Sequence, residues 1–123
     1  ASPDITSAIS VATVTTAHSL EAKAIVTVTK TGKTARMISK YRPHCSIIGC
    51  SPSPMICRQM NMSWGVTPVL CDEKTNTDEL FAHAVERAEE HNLLSVGDKI
   101  IITAGIPLGI SGTTNMLKVT IIE

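Results

Sequence analysis

Six consecutive residues, Thr29, Lys30, Thr31, Gly32, Lys33 and Thr34, place three hydroxyls, two ammonium groups and one glycine directly after the apolar run AIVTV. These are the groups that an oxyanion needs. Backbone N–H groups at a helix start point toward an anion, hydroxyls donate to its oxygens and lysines act as point charges. Gly32 lets the main chain approach closely. The pattern is not a Walker loop, because G-x-x-x-x-G-K-T would require glycine where Thr27 stands. Two uses stay open on the residues alone: a phosphate cradle, or a polar turn that starts a helix with its lysines in water.

A second loop, GIPLGISGTTN over residues 105–115, combines Gly105, Gly109 and Gly112 with the hydroxyls of Ser111, Thr113 and Thr114. It could fold over a ligand as a lid, or serve as a long hairpin connection. Neither loop holds a nucleophile beside a base, so no catalytic residue is assigned. His83 and Glu86 lie three apart, with His91 farther on, and suit solvated or half-buried helix positions. His18 and His44 have no partner near them in sequence. Trp64 is expected to pack beneath the strand that follows it. Asp72, Glu73, Asp78 and Glu79 suit a polar loop and the first turn of a helix rather than a cation site. The four cysteines, Cys45, Cys50, Cys57 and Cys71, lack the spacing of a zinc or redox motif and are expected to be reduced and mostly buried. No metal site is expected.

The elements that position these loops follow from periodicity. Ser2 and Pro3 suit a helix start, and Ile5, Ala8, Ile9 and Ala12 recur at helical spacing toward Leu20. A short buried strand follows at residues 24–28, Gly32 marks the turn, and a helix over 34–41 is stopped by Pro43. The rhythm repeats with a strand at 46–50 and a helix opened by Ser53 and Pro54. The strand GVTPVL contains Pro68, which cannot donate to a ladder and so belongs at a sheet edge. A helix over 78–91 has Thr77 as its expected cap and buries Leu80, Ala84, Val85 and Ala88. Strands at 99–104 and 116–122 have no helix between them and should be antiparallel. The result is a three-layer α/β/α domain. In such sheets ligands settle beyond the carboxyl ends of the strands where the winding reverses, and both loops compete for that place.

Length and composition narrow the function. The 123 residues fit one domain with a real core, and eleven basic residues balance eleven acidic ones. General attraction to nucleic acid or an anionic membrane is therefore not expected, and Tyr41, Trp64 and Phe81 are too few to stack bases. No apolar segment reaches the about 20 residues of a membrane span, and a cytoplasmic location is expected. The start Ala-Ser-Pro-Asp, without methionine, is expected of a piece of a longer polypeptide.

Three separated motifs, EAKAIVTVTKTGKTARMISKYRP, WGVTPVL and GDKIIITAGIPLGISGTTNMLKV, resemble the C-terminal domain of pyruvate kinase in the family's order and over essentially the whole chain. The resemblance implies a mixed five-stranded sheet of order 3-2-1-4-5 with strand 5 antiparallel. It implies a regulatory role within a glycolytic enzyme that transfers phosphoryl from phosphoenolpyruvate to ADP. Catalysis, with Mg and K, would belong to a barrel domain absent here, so this fragment alone would be inactive and needs no cofactor. A phosphorylated effector would sit between residues 29–34 and the glycine-rich loop, with the parent enzyme a homotetramer. Where animal members that respond to fructose 1,6-bisphosphate carry Trp and Arg, this chain has residues 75–78 and Ile106 with Pro107. A sugar monophosphate or nucleoside monophosphate is therefore an alternative effector. The other implied role is a purely structural assembly domain whose effector site is vestigial.

Overall fold

The computed structural model describes residues 5–74, 76–104 and 116–123. Along them run α1 (Ile5–Leu20), β1 (Ala24–Val28), α2 (Lys33–Lys40), β2 (Ser46–Ser51) and α3 (Pro54–Met60). Then come β3 (Val66–Leu70), α4 (Thr77–Glu90), β4 (Lys99–Ala104) and β5 (Met116–Ile121). The strands make one sheet in the order β3-β2-β1-β4-β5. β1 pairs in parallel with β2 and β4, β2 in parallel with β3, and β5 runs antiparallel to β4. β3, with Pro68, lies at an edge, as a residue without a ladder donor requires.

The Ile- and Val-rich strands are buried on both faces because side chains alternate across a pleated sheet. Ile25, Ile47 and Ile101 meet Val14 and Ala17 of α1, Ala35 and Ile38 of α2, and Met60 of α3 in one core. Their neighbours Val26, Ile48, Ile100 and Ile102 meet Leu80, Phe81, Ala84 and Ala88 of α4 in the other. Three helices thus cover one face, and α4 covers its opposite.

Three local features differ from the periodicity reading. The buried face of α1 is Thr6, Ser10, Thr13, Val14 and Ala17, whereas Ile5, Ala8 and Ala12 are exposed and Ile9 is half-buried. Burial of the hydroxyls is inexpensive because Ser10 donates to the Thr6 carbonyl at 2.8 Å and Thr13 to the Ile9 carbonyl at 2.7 Å. α4 is capped by Asn76, whose side-chain oxygen accepts the Glu79 N–H at 3.2 Å. Thr77 is already helical. Val85 is half-buried, its place on the deep face taken by Phe81. The expected cap at Ser2 and Pro3 lies outside the described residues. Ser53, by contrast, caps α3 as its sequence predicts, accepting the Ile56 N–H at 3.3 Å.

At the centre of the sheet Thr27 of β1 stands in register with Thr103 of β4, and both hydroxyls are buried without a hydrogen-bond partner. An unpaired buried hydroxyl costs stability that an isosteric methyl does not. Thr27→Val and Thr103→Val are each expected to raise the unfolding free energy by about 1 kcal/mol, read as a higher urea midpoint at unchanged slope.

Candidate functional site

The turn after β1 is built by its own backbone. Gly32 sits in the left-handed region at φ 80° and starts α2 without a side-chain cap. Thr29 accepts the Gly32 N–H through its hydroxyl at 3.0 Å, and Thr31 accepts the Lys33 N–H at 3.3 Å. The Thr29 N–H donates to the Cys50 carbonyl at 2.9 Å, tying the turn to the end of β2. Arg36, one helical turn on, donates from its backbone to the Gly32 carbonyl and from its guanidinium to the Thr31 carbonyl at 3.3 Å.

Packing also favours glycine here. A Cβ on Gly32 would lie 3.2 Å from both Arg36 Nη1 and Met60 Cγ. Met60 also fills the space above Gly49 of β2, where an added Cβ would meet its sulfur at 2.6 Å. One buried methionine of α3 is therefore enclosed by two glycines, one in the turn and one in the sheet.

Charge lies on the outside. Lys30, Thr31 and Lys33 are exposed, while Thr29, Gly32 and Thr34 are buried, Thr34 to 3 % of its surface. Lys30 faces Glu73 at 3.5 Å, so a residue assigned to a polar loop becomes a counter-charge to the turn. The turn occupies the carboxyl end of β1 beside β4, where the sheet order reverses. Of the sequence-predicted residues, the structure brings 29–34 together at that point. The second loop, with Gly105, Gly109, Ser111, Gly112 and Thr113, lies outside the described residues. Arg36 and Glu73 were missed. Arg36 could have been found as a cation four residues after the turn glycine, but no local signal marks Glu73.

Other groups found different roles. His18 and His44 stack at 4.5 Å, with the His44 N–H donating to His18 Nε2 at 3.2 Å. Trp64 does not lie beneath β3: it is 46 % exposed, with the Arg42 guanidinium over its ring at 4.9 Å. His83 accepts the Asp72 N–H at 3.0 Å. Cys50 and Cys71 are buried, and Cys45 and Cys57 are half-buried. Among the described residues no cluster of three or more His, Cys, Asp or Glu could hold a metal, and no helix is long and apolar enough to cross a membrane.

The family model described as "Pyruvate kinase, alpha/beta domain" matches residues 7–120. The chain belongs to the pyruvate kinase alpha/beta domain family. It is 48% identical over 115 residues to the pyruvate kinase of Clostridium acetobutylicum, covering 94% of this chain and 24% of that protein. With the pyruvate kinase of Lactobacillus delbrueckii subsp. bulgaricus it shares 45% over 119 residues, covering 97% and 20%. A crystal structure of a pyruvate kinase from Cryptosporidium parvum superimposes with a TM-score of 0.87 at 31% identity, over 99% of this chain and 23% of the other. The chain thus spans a quarter or less of the length of these pyruvate kinases. Its sheet order and antiparallel last strand are those expected of the pyruvate kinase alpha/beta domain.

Proposed function

We propose that this chain is the regulatory domain of a pyruvate kinase and that residues 29–34 hold the phosphate of a phosphorylated sugar or nucleotide effector. The observation that carries this reading is position. A left-handed glycine starts α2 at the carboxyl end of β1, at the switch point of the sheet, with Lys33 exposed beside it and Lys30 exposed in a surface pair with Glu73 that an anion would compete for. Binding would require the hydroxyls of Thr29 and Thr31 to exchange their N–H partners in the turn for phosphate oxygens. Gly105, Gly109, Ser111, Gly112 and Thr113 would close over the ligand. Phosphoryl transfer from phosphoenolpyruvate to ADP, with Mg and K, would be the work of a catalytic barrel elsewhere in a longer cytoplasmic chain. This segment alone would be inactive. The effector would act by shifting a homotetramer, with a coupling of about 1 to 3 kcal/mol.

The test is calorimetric titration with fructose 1,6-bisphosphate, ribose 5-phosphate and AMP in turn. Saturable binding of one of them supports the reading, and binding of none overturns it.

A specific observation favours a second reading, an assembly domain without an effector. The turn is closed on itself through Thr29 and Thr31, and Lys30 already has Glu73. Val119 and Ile121 of the edge strand β5, and Val11 of α1, are exposed apolar groups that a second copy could cover. This reading expects a dimer in sedimentation that Ile121→Lys dissociates. Monomer alone at high concentration would count against it.

A further inference from the structure

The neutral total of charge conceals a division between the two faces of the sheet. Between Glu21 and Asp72 the sequence holds seven lysines and arginines and no carboxylate, whereas residues 72–98 hold eight carboxylates against two such cations. The fold keeps the two sets apart. α1, α2 and α3 cover one face, and α4, which carries Asp78, Glu79, Glu86, Glu89 and Glu90, covers the other. On the first face Lys33, Arg36 and Lys40 stand at i, i+3 and i+7 of α2 and are exposed, so they form one stripe along the helix. The eight residues of α2 cover about 12 Å, and Lys30 and Arg42 extend the row beyond its two ends. Among the described residues, Lys30 alone of these five cations meets a carboxylate, that of Glu73.

The stripe ends on exposed rings. Three aromatic side chains are few for the chain, yet two of them, Tyr41 at 48 % and Trp64 at 46 % exposure, lie at this one place and join neither core. Tyr41 is the C-cap of α2, and the Ser39 hydroxyl donates to the Trp64 carbonyl at 2.6 Å, which fixes Trp64 beside the last turn of that helix. Arg42, in the left-handed region at φ 46°, carries its guanidinium over the Trp64 ring.

We infer that this face binds single-stranded nucleic acid, with the α2 stripe on the phosphates and Tyr41 and Trp64 stacked on bases. A row of cations follows a phosphodiester backbone, and aromatic faces take any base because every base has a π-face. Inorganic polyphosphate or an acidic peptide would engage the same cations but leave the rings without a stacking partner. A duplex keeps its base faces in its own stack. The exposed rings therefore select the single strand, and the acidic α4 on the far side gives the domain one orientation toward it. The zero net charge removes a general pull, but the fold supplies a local one. Lys40, Tyr41 and Trp64 lie outside residues 29–34, so the inference does not rest on the effector reading.

The experiment follows the polarisation of a fluorescein-labelled oligouridylate of about 12 nucleotides as the full-length protein is added at a series of salt concentrations. Saturable binding is expected, with log Kd rising against log salt at a slope of about 2 to 3, which is about 0.7 for each of three to four neutralised phosphates. Lys40→Ala is expected to lower that slope by about 0.7. Trp64→Leu and Tyr41→Ala are each expected to weaken binding by about fivefold or more at unchanged slope. All three side chains are exposed, so urea midpoints equal to the parent's are expected and separate these losses from unfolding. Absence of saturable binding at low salt would overturn the proposal, whatever the three phosphate ligands do at residues 29–34. Affinity unchanged in both aromatic variants, or equalled by inorganic polyphosphate or polyglutamate of the same charge, would show a polyanion surface without base contacts and overturn it. Equal affinity for the double-stranded form would overturn the choice of the single strand.

Discussion

Gly49→Val is expected to lower the unfolding free energy by about 3 kcal/mol or more, and Gly49→Ala by about 1 to 2 kcal/mol, measured as the urea midpoint. In an ordinary strand, replacing an interior glycine by alanine would stabilise by roughly 0.5 to 1 kcal/mol through backbone entropy. Here the added Cβ falls 2.6 Å from the Met60 sulfur and 3.3 Å from Val66 Cγ1. Met60 is fully buried and has Gly32 on its other side, so it cannot swing away without pressing on the turn. The packing term should therefore win. Met60→Ala in the Gly49→Val background should cost less than the sum of the two single changes, because the pair shares one space. A midpoint for Gly49→Val equal to that of the parent would refute this packing.

The second large effect concerns binding. Lys30→Ala with Lys33→Ala is expected to weaken affinity for the proposed phosphate ligand by about 100-fold, since each charge-assisted contact is worth about 1.5 to 3 kcal/mol and 1.4 kcal/mol is tenfold. The urea midpoint should scarcely move, because both side chains are exposed and the Lys30 pair with Glu73 is a surface ion pair of small net value. Thr34 is unsuited to this test, since it is buried and its loss would disturb packing as well as binding. Glu73→Gln should act in the opposite direction, tightening binding by a few-fold as Lys30 loses its competing carboxylate. Retention of full affinity in the double lysine variant would show that these lysines do not hold the phosphate.

Much of this architecture was legible in the residues because its signals are local. Ile25, Ile47 and Ile101 stand in uninterrupted apolar runs, Pro68 marks an edge, and Ser53 with Pro54 opens a helix. The face of α1 was not legible, since hydroxyls that bond back to their own helix can be buried as readily as alanine and leave isoleucine outside. The turn at residues 29–34 was visible through Gly32, yet its partners were not. Glu73, Met60 and the Cys50 carbonyl come from the loop after β3, from α3 and from β2, and only tertiary pairing brings them near.

The pairing of β1 with β4 has a consequence for how the chain folds. Ala24 is in register with Ile100, 76 residues later (100 − 24), whereas β1 meets β2 with Ala24 opposite Ser46, 22 residues later (46 − 24). Long-range parallel pairing is slow because loop closure precedes any gain from contact. A chain emerging from the ribosome can thus complete β1, β2 and β3 with their helices while one side of β1 still lacks its neighbour. That open edge, with Ile25 and Val26 on it, is the segment most exposed to pairing with another chain until β4 arrives. The switch point therefore stays open until β4 has been made.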